Sequence, residues 1–284
     1  MDASNHIFWP QNLSALFTLW NQYPLAVPVA AGTALYRAGN DCTDTFELPE
    51  SILSLEKIEE MRSITRTERY LEIGAMVRLS EIVALGKTVP DVFSRTLLGI
   101  ASAQLRNLAT IGGNICSFGD TIAPLVALDA RFELRSAAAS RWIPAIHFST
   151  ILLQQADRTM AKGELLTRIR IPLDEWNYTE YHKFRAIDSG GEGGVLILLV
   201  RNQKNVLSRI HVVFSGNTLL GNALLKDKNG ESFLQGKALP LDKKDANQYR
   251  KYWENYLAVL EKPAAFLRAK IIHVIEKGIL GLAE

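Results

Sequence analysis

The paired glycines within residues 106–116, RNLATIGGNIC, constrain this chain more than any other stretch of it. Gly112 and Gly113 lie between two apolar patterns of helical spacing. Adjacent glycines weaken a regular element, because they have no side chain to pack and lose much backbone entropy on folding. Two roles fit such a pair: a turn between helix and strand, or bare backbone that a phosphate can approach. A second glycine-centred segment, AAGTAL at residues 30–35, lies far upstream; there Gly32 permits a tight turn and Thr33 offers a hydroxyl. Backbone amides from two loops converging on one anion would stabilise it by charge-assisted hydrogen bonds without many lysines. Neither loop matches GxGxxG or GxxxxGK[ST], so a Rossmann or P-loop site is unsupported.

Length and charge narrow the classes. With 284 residues, 48% of them hydrophobic and 22% charged, the chain is long enough for two domains, each with its own core. A net charge of +2 implies neither nucleic acid nor an anionic membrane surface, and points to small-molecule and protein partners. No run of roughly 18 uncharged apolar residues occurs, and the start MDASNHIFWP lacks the pattern of a secretion signal, so a cytoplasmic location is expected. The two cysteines, Cys42 and Cys116, cannot build a disulfide framework, a zinc site or an iron–sulfur cluster. Cys116 reads as a buried small hydrophobe, and the five histidines, His6, His147, His182, His211 and His273, show no metal spacing and no adjacent nucleophile. No catalytic and no metal-binding residue is assigned.

The pattern of elements predicts an α+β fold. Leu13, Leu16, Phe17 and Trp20 recur at helical spacing, with Pro10 and Asn12 at the start and Pro24 after the end. Strands are expected over residues 26–30, 52–55 and 70–75, helices over 80–85, where Ser80 is a candidate cap, and over 91–101. After the glycine pair, Asp120 is placed to cap a helix that carries Pro124 in its first turn. Strands follow at 132–135 and 166–171, the latter with Ile169 and Ile171 inward and Arg168 and Arg170 outward. Past a boundary near residue 174, residues 181–185, 195–201 and 206–215 read as an antiparallel sheet with one buried face, on which Ile210, Val212 and Phe214 alternate with Arg209, His211 and Val213. The tail is helical: Tyr249, Trp253, Tyr256, Leu257 and Leu260 form one stripe, and Phe266, Ile271, Ile275 and Ile279 continue it after Pro263.

Four phrases in order carry a family resemblance: AAGTAL (30–35), EIGAMVRLSEI (72–82), RNLATIGGNIC (106–116) and GELLTRIRIP (163–172). Together, over essentially the whole chain, they resemble the FAD-binding (medium) subunit of the molybdenum hydroxylases, of the xanthine dehydrogenase and carbon monoxide dehydrogenase type. The resemblance implies a PCMH-like FAD-binding domain of two α+β subdomains over residues 1–174. A C-terminal domain over 175–284, with a three-stranded antiparallel sheet and a helical bundle, would follow. It implies FAD as cofactor, and as partners a [2Fe–2S] iron–sulfur subunit, a molybdopterin-binding catalytic subunit and NAD or another acceptor, with neither nucleic acid nor membrane. Carried over by position, Pro28, Val29, Ala30, Ala31, Gly32, Thr33, Ala34 and Leu35 form the first diphosphate loop, and Thr110, Ile111, Gly112, Gly113 and Asn114 the second. Leu166 matches a position packing near the flavin, Lys183 a lysine at the flavin edge, and Asp120 an acidic residue after the glycine pair.

The chain also departs from the family pattern. Ala31 stands where a glycine is common and Ala34 where an aspartate is, and the segment from Asn114 to Pro124 is short. After the lysine, IDSGGEGG (187–194) replaces the family's arginine and acidic pair; its four glycines read either as a linker or as a lid over the flavin. Asp120 fits a helix cap as well as a ligand contact, and Lys183 fits a solvated strand position as well as a cofactor contact. Two alternatives to an electron-transfer subunit follow. An FAD-depleted homologue acting as an assembly or binding module is motivated by Ala31, Ala34 and the short segment. A stand-alone flavin oxidase is opposed by the lack of a paired acid and base near the motifs.

Overall fold

The computed structural model describes residues 6–34, 49–154, 163–186 and 191–282. By its internal contacts the chain divides into two compact units, the first made of Met1–Val89, Ile100–Thr121 and Asp129–Leu173, the second of Pro90–Gly99, Ile122–Leu128 and Asp174–Glu284.

The first unit holds two sheets. Strands β1 (His6–Phe8), β2 (Val27–Val29) and β3 (Ser51–Ser54) form a parallel sheet with β3 central. The helix Leu13–Gln22 connects β1 to β2; Asn12 caps it, its side-chain oxygen accepting the Ala15 amide at 2.8 Å, and Leu13, Leu16 and Phe17 are its buried face. The second sheet is antiparallel, in the order β4 (Ile64–Arg66), β5 (Tyr70–Gly74), β8 (Leu165–Pro172), β6 (Arg131–Arg135), β7 (Ser140–Pro144). Its alternation is the expected one. Leu71, Ile73, Ile169, Ile171 and Phe132 are fully buried, and Phe132 meets Phe148 of the helix Ala145–Gln154 edge-on, with ring centroids 5.3 Å apart. On the opposite face Arg168 pairs with Glu133 and Arg170 with Glu72, each at 2.7 Å. The helix expected to be capped by Ser80 runs over Leu79–Ala84, which places Ser80 inside it; the carboxylate of Glu81 reaches back to accept the Arg78 amide at 2.7 Å.

The second unit is an antiparallel sheet between two layers of helix. The three expected strands are β9 (Tyr178–Phe184), β10 (Gly193–Gln203) and β11 (Val206–Thr218), and a fourth, β12 (Gly221–Lys226), pairs along β11. One face packs Leu196, Leu198, Ile210, Val212 and Phe214 against Tyr249, Trp253 and Leu257 of the helix Lys243–Ala258 and Leu267, Ile271 and Ile275 of the helix Ala265–Leu280. The other face is buried too, contrary to the one-sided expectation. The helices Asp91–Leu98 and Ile122–Ala127, which come from earlier in the chain, pack on it, and Val195, Ile197, Leu199 and Val213 are fully enclosed. At roughly 1.5–3 kcal/mol for each fully buried aliphatic side chain, a sheet with two covered faces is the energetic centre of this unit. His211 belongs to that covered face, its Nδ1 2.6 Å from the Ala127 carbonyl oxygen. In the last helix the buried stripe begins at Leu267; Phe266 points outward, with the Lys270 ammonium 4.7 Å over its ring.

Among the described residues no helix is long and apolar enough to cross a membrane.

Candidate functional site

The glycine pair opens a helix. Thr110 is extended and caps the helix Ile111–Cys116, its hydroxyl oxygen accepting the Gly113 amide at 3.1 Å. The other amides of that first turn are also engaged: Ile111 donates to the Val77 carbonyl at 3.0 Å, Gly112 to that of Ala75 at 2.8 Å, and Asn114 to that of Thr110 at 3.0 Å. Through these bonds the segment is stitched to residues 75–77, just beyond β5, so that the helix N-terminus has no spare donor of its own.

The two glycines therefore have different tasks. A Cβ placed on Gly112 would lie 2.8 Å from both the Cβ and the carbonyl oxygen of Ala75, closer than a packed contact allows. Gly112 is there for close approach of two backbones. A Cβ on Gly113 would instead press on Thr110 Oγ1 at 3.0 Å and reach ordinary van der Waals contact with the Cβ of Ala30 at 4.0 Å. The two loops singled out from sequence are thus neighbours in the first unit.

The first loop supplies the donors that the second lacks. The amides of Ala31, Gly32 and Thr33 meet no acceptor among the described residues, and Thr33 and Ala34 are helical. Left-handed backbone falls on Gly32, at φ 69°, and not on Ala31. A side chain at position 31 is therefore compatible with the turn, and the missing family glycine costs no backbone strain. The cradle is a run of amides without an acceptor among the described residues, beside a bare Cα, a donor set that suits a diphosphate.

Residues 3–174 match the model of the family described as the FAD binding domain in molybdopterin dehydrogenase. The chain belongs to this family. FAD is accordingly the cofactor of the FAD-binding domain, and the first-loop amides that meet no acceptor among the described residues, beside the bare Cα of Gly113, fit it. The glyceraldehyde dehydrogenase medium chain of Sulfolobus acidocaldarius is 26% identical over 175 residues, covering 59% of this chain and 60% of that one. The carbon monoxide dehydrogenase medium chain of Hydrogenophaga pseudoflava is 28% identical over 203 residues, covering 68% and 67%. A solved structure of quinoline 2-oxidoreductase from Pseudomonas putida 86 matches with TM-score 0.76 at 19% identity, covering 98% of both chains, a likeness of fold. The chain thus spans about three fifths of the first relative and two thirds of the second.

The remaining expected residues are spread over both units. Leu35 lies outside the described residues. Pro28 and Val29 are in β2, leading into the donor loop. Leu166 is buried in β8, the strand on which the helix Ile111–Cys116 packs, opposite Leu134. Asp120 is half-buried, two residues before the helix Ile122–Ala127. Lys183 is in the second unit, where its ammonium donates to the Gly99 carbonyl at 2.6 Å, at the end of the helix Asp91–Leu98. Cys116, expected to be buried, is half-buried, and desolvation pushes its thiol up to about 12. The glycine-rich segment after Lys183 is only partly a loop, because Gly193 and Gly194 are paired in β10 with Asn217 and Gly216; residues 187–190 lie outside the described residues.

Three site residues were not legible from sequence. Ala75 and Val77 accept the amides that fix the glycine helix, and only their place in the phrase EIGAMV marked that segment at all. Thr121 bonds Asn114 seven residues earlier, from chain that folds back after the helix has ended at Cys116, a turn no local pattern marks.

Proposed function

We propose that this chain is the electron-relay subunit of a multi-subunit molybdenum hydroxylase. It would stand between the [2Fe–2S] clusters of a partner chain and NAD or another acceptor, in the cytoplasm, while substrate is oxidised on a separate molybdopterin-binding subunit. When bound, FAD supplies a centre able to exchange electrons singly with a cluster and in pairs with a nicotinamide. The chain's own share is binding and orientation. Ala31, Gly32 and Thr33 would donate to the diphosphate, Gly113 would leave room for it, and Thr110, engaged with the Gly113 amide, would hold that helix turn in place. With only two cysteines the chain has too few thiolates for a cluster of its own, which supports placing the iron–sulfur and molybdenum centres on other polypeptides.

The observation that carries this proposal is the placement of first-loop amides, which meet no acceptor among the described residues, beside the bare Cα of Gly113. Its test is titration of the purified chain with FAD. The expected result is stoichiometric uptake with an oxidised-flavin band at about 450 nm, bleached by NADH if NAD is the acceptor. A chain that takes up no FAD would instead be an assembly module, and steady turnover of a small alcohol by the isolated chain would make it an oxidase.

A further inference from the structure

Asn114 presents a side chain whose orientation is fixed by one other residue. Its Oδ1 accepts two hydrogen bonds from Thr121, one from the hydroxyl at 2.7 Å and one from the backbone amide at 3.2 Å. A backbone N–H can only donate, so the atom it meets is the carbonyl oxygen of the carboxamide. That assignment turns the NH2 group away from Thr121. Its hydrogens meet no acceptor among the described residues, although the side chain is half-buried and directly follows Gly113. From the other side Gly119 closes over the carboxamide: a Cβ there would lie 2.5 Å from both Nδ2 and Oδ1, and the Gly119 amide donates to the Asn114 carbonyl at 2.8 Å.

We propose that Thr121 is a positioning residue for the cofactor site: it locks the Asn114 carboxamide so that Nδ2 donates to an acceptor oxygen of bound FAD. This rests on the proposal that FAD occupies the cradle of residues 30–34 and 110–114. Thr121 is fully buried, so its effect on the cofactor would pass through Asn114. The short segment after Asn114 has a role in this arrangement, because it folds back far enough for a residue seven positions on to meet the carboxamide.

The experiment is FAD titration of the full chain followed by flavin fluorescence, with thermal midpoints measured without FAD. Thr121→Val keeps the shape and removes the hydroxyl donor; its FAD dissociation constant should rise about tenfold, the equivalent of one well-made hydrogen bond. Thr121→Ser should restore affinity to within about twofold of wild type, because the donor returns. Asn114→Ala should match Thr121→Val, and the double variant should be no weaker than Asn114→Ala alone. Gly119→Ala, with Thr121 intact, should weaken FAD by displacing the carboxamide, which keeps the proposal testable if Thr121→Val does not fold. Wild-type affinity in Thr121→Val or in Gly119→Ala, or additive losses in the double variant, would overturn the positioning role while leaving the FAD site standing. Failure of the wild-type chain to bind FAD would overturn both.

Discussion

Gly113 faces Ala30: a Cβ on the glycine would lie 4.0 Å from the alanine Cβ. The adjacent Gly112 is instead pressed against Ala75. The pair therefore divides into one residue pressed against a remote backbone and one that lies beside the first loop.

Substitution at the two positions should separate those roles. Gly113→Val puts a branched side chain between the two loops, and FAD binding should fall at least tenfold while the helical second unit keeps its fold. Gly112→Ala forces apart the backbones of residues 75 and 112, at a cost of about 1–3 kcal/mol typical of overpacking. Circular dichroism melts and FAD titration read the two effects independently. A Gly113→Val chain with unchanged FAD affinity would remove the pair from the site.

What the sequence could reveal was set by how local each interaction is. The cap at Asn12, the alternation of Ile169 and Ile171 with the arginines, and the two glycine loops all depend on neighbours in sequence or on a simple period, and each was readable. The covered second face of the β9–β12 sheet was not. Arg209 and His211 gave β11 the polar alternation of a solvated face, whereas the helices Asp91–Leu98 and Ile122–Ala127 arrive from far upstream to bury it. Phe266 was misplaced for a related reason. On a helix, two adjacent apolar residues are 100° apart, and only the packing partner decides that Leu267 goes inward. The division of labour within Gly112-Gly113 was equally hidden, since it depends on Ala75, which is remote in sequence.

The Glu133 carboxylate gives the first unit a dependence on acid. Burial opposes its ionisation, but hydrogen bonds from Arg168, Thr167 and Ser140 and the charge of Arg168 outweigh burial and hold its pKa below the ordinary 4.5. A carboxyl depressed in the folded state contributes stability that is present above its unfolded pKa and is lost as pH falls through the folded one. Glu133→Gln should therefore lower the thermal midpoint at pH 7, and the difference from wild type should shrink steadily once pH drops below about 4.5. A difference independent of pH would show that the loss is one of packing.

Lys183 contributes to stability through the end of a helix. Its ammonium meets the Gly99 carbonyl at the C-terminus of Asp91–Leu98, where a cation also complements the helix dipole. Lys183→Met preserves the aliphatic stem and removes the charge, and should cost about 1.5–3 kcal/mol, the range for hydrogen bonds to charged groups. Urea denaturation gives that number directly; an unchanged midpoint would mean that the bond to Gly99 contributes nothing.

Glu192, in the glycine-rich segment, is 2% exposed. Its two oxygens accept the Ala264 amide at 2.9 and 3.2 Å, at the start of the helix Ala265–Leu280, and one also accepts the Leu219 amide at 3.2 Å. A negative charge at a helix N-terminus that also satisfies two backbone donors is favourable twice over. Glu192→Gln replaces one acceptor oxygen with an amide that can only donate, opposing N–H to N–H, so the second unit should lose roughly 1.5–3 kcal/mol. Hydrogen exchange provides the local check. The amides of Ala264 and Leu219 should exchange faster in the variant while those of β10 and β11 change only with global stability, and uniform protection at all four places would rule out the anchoring role.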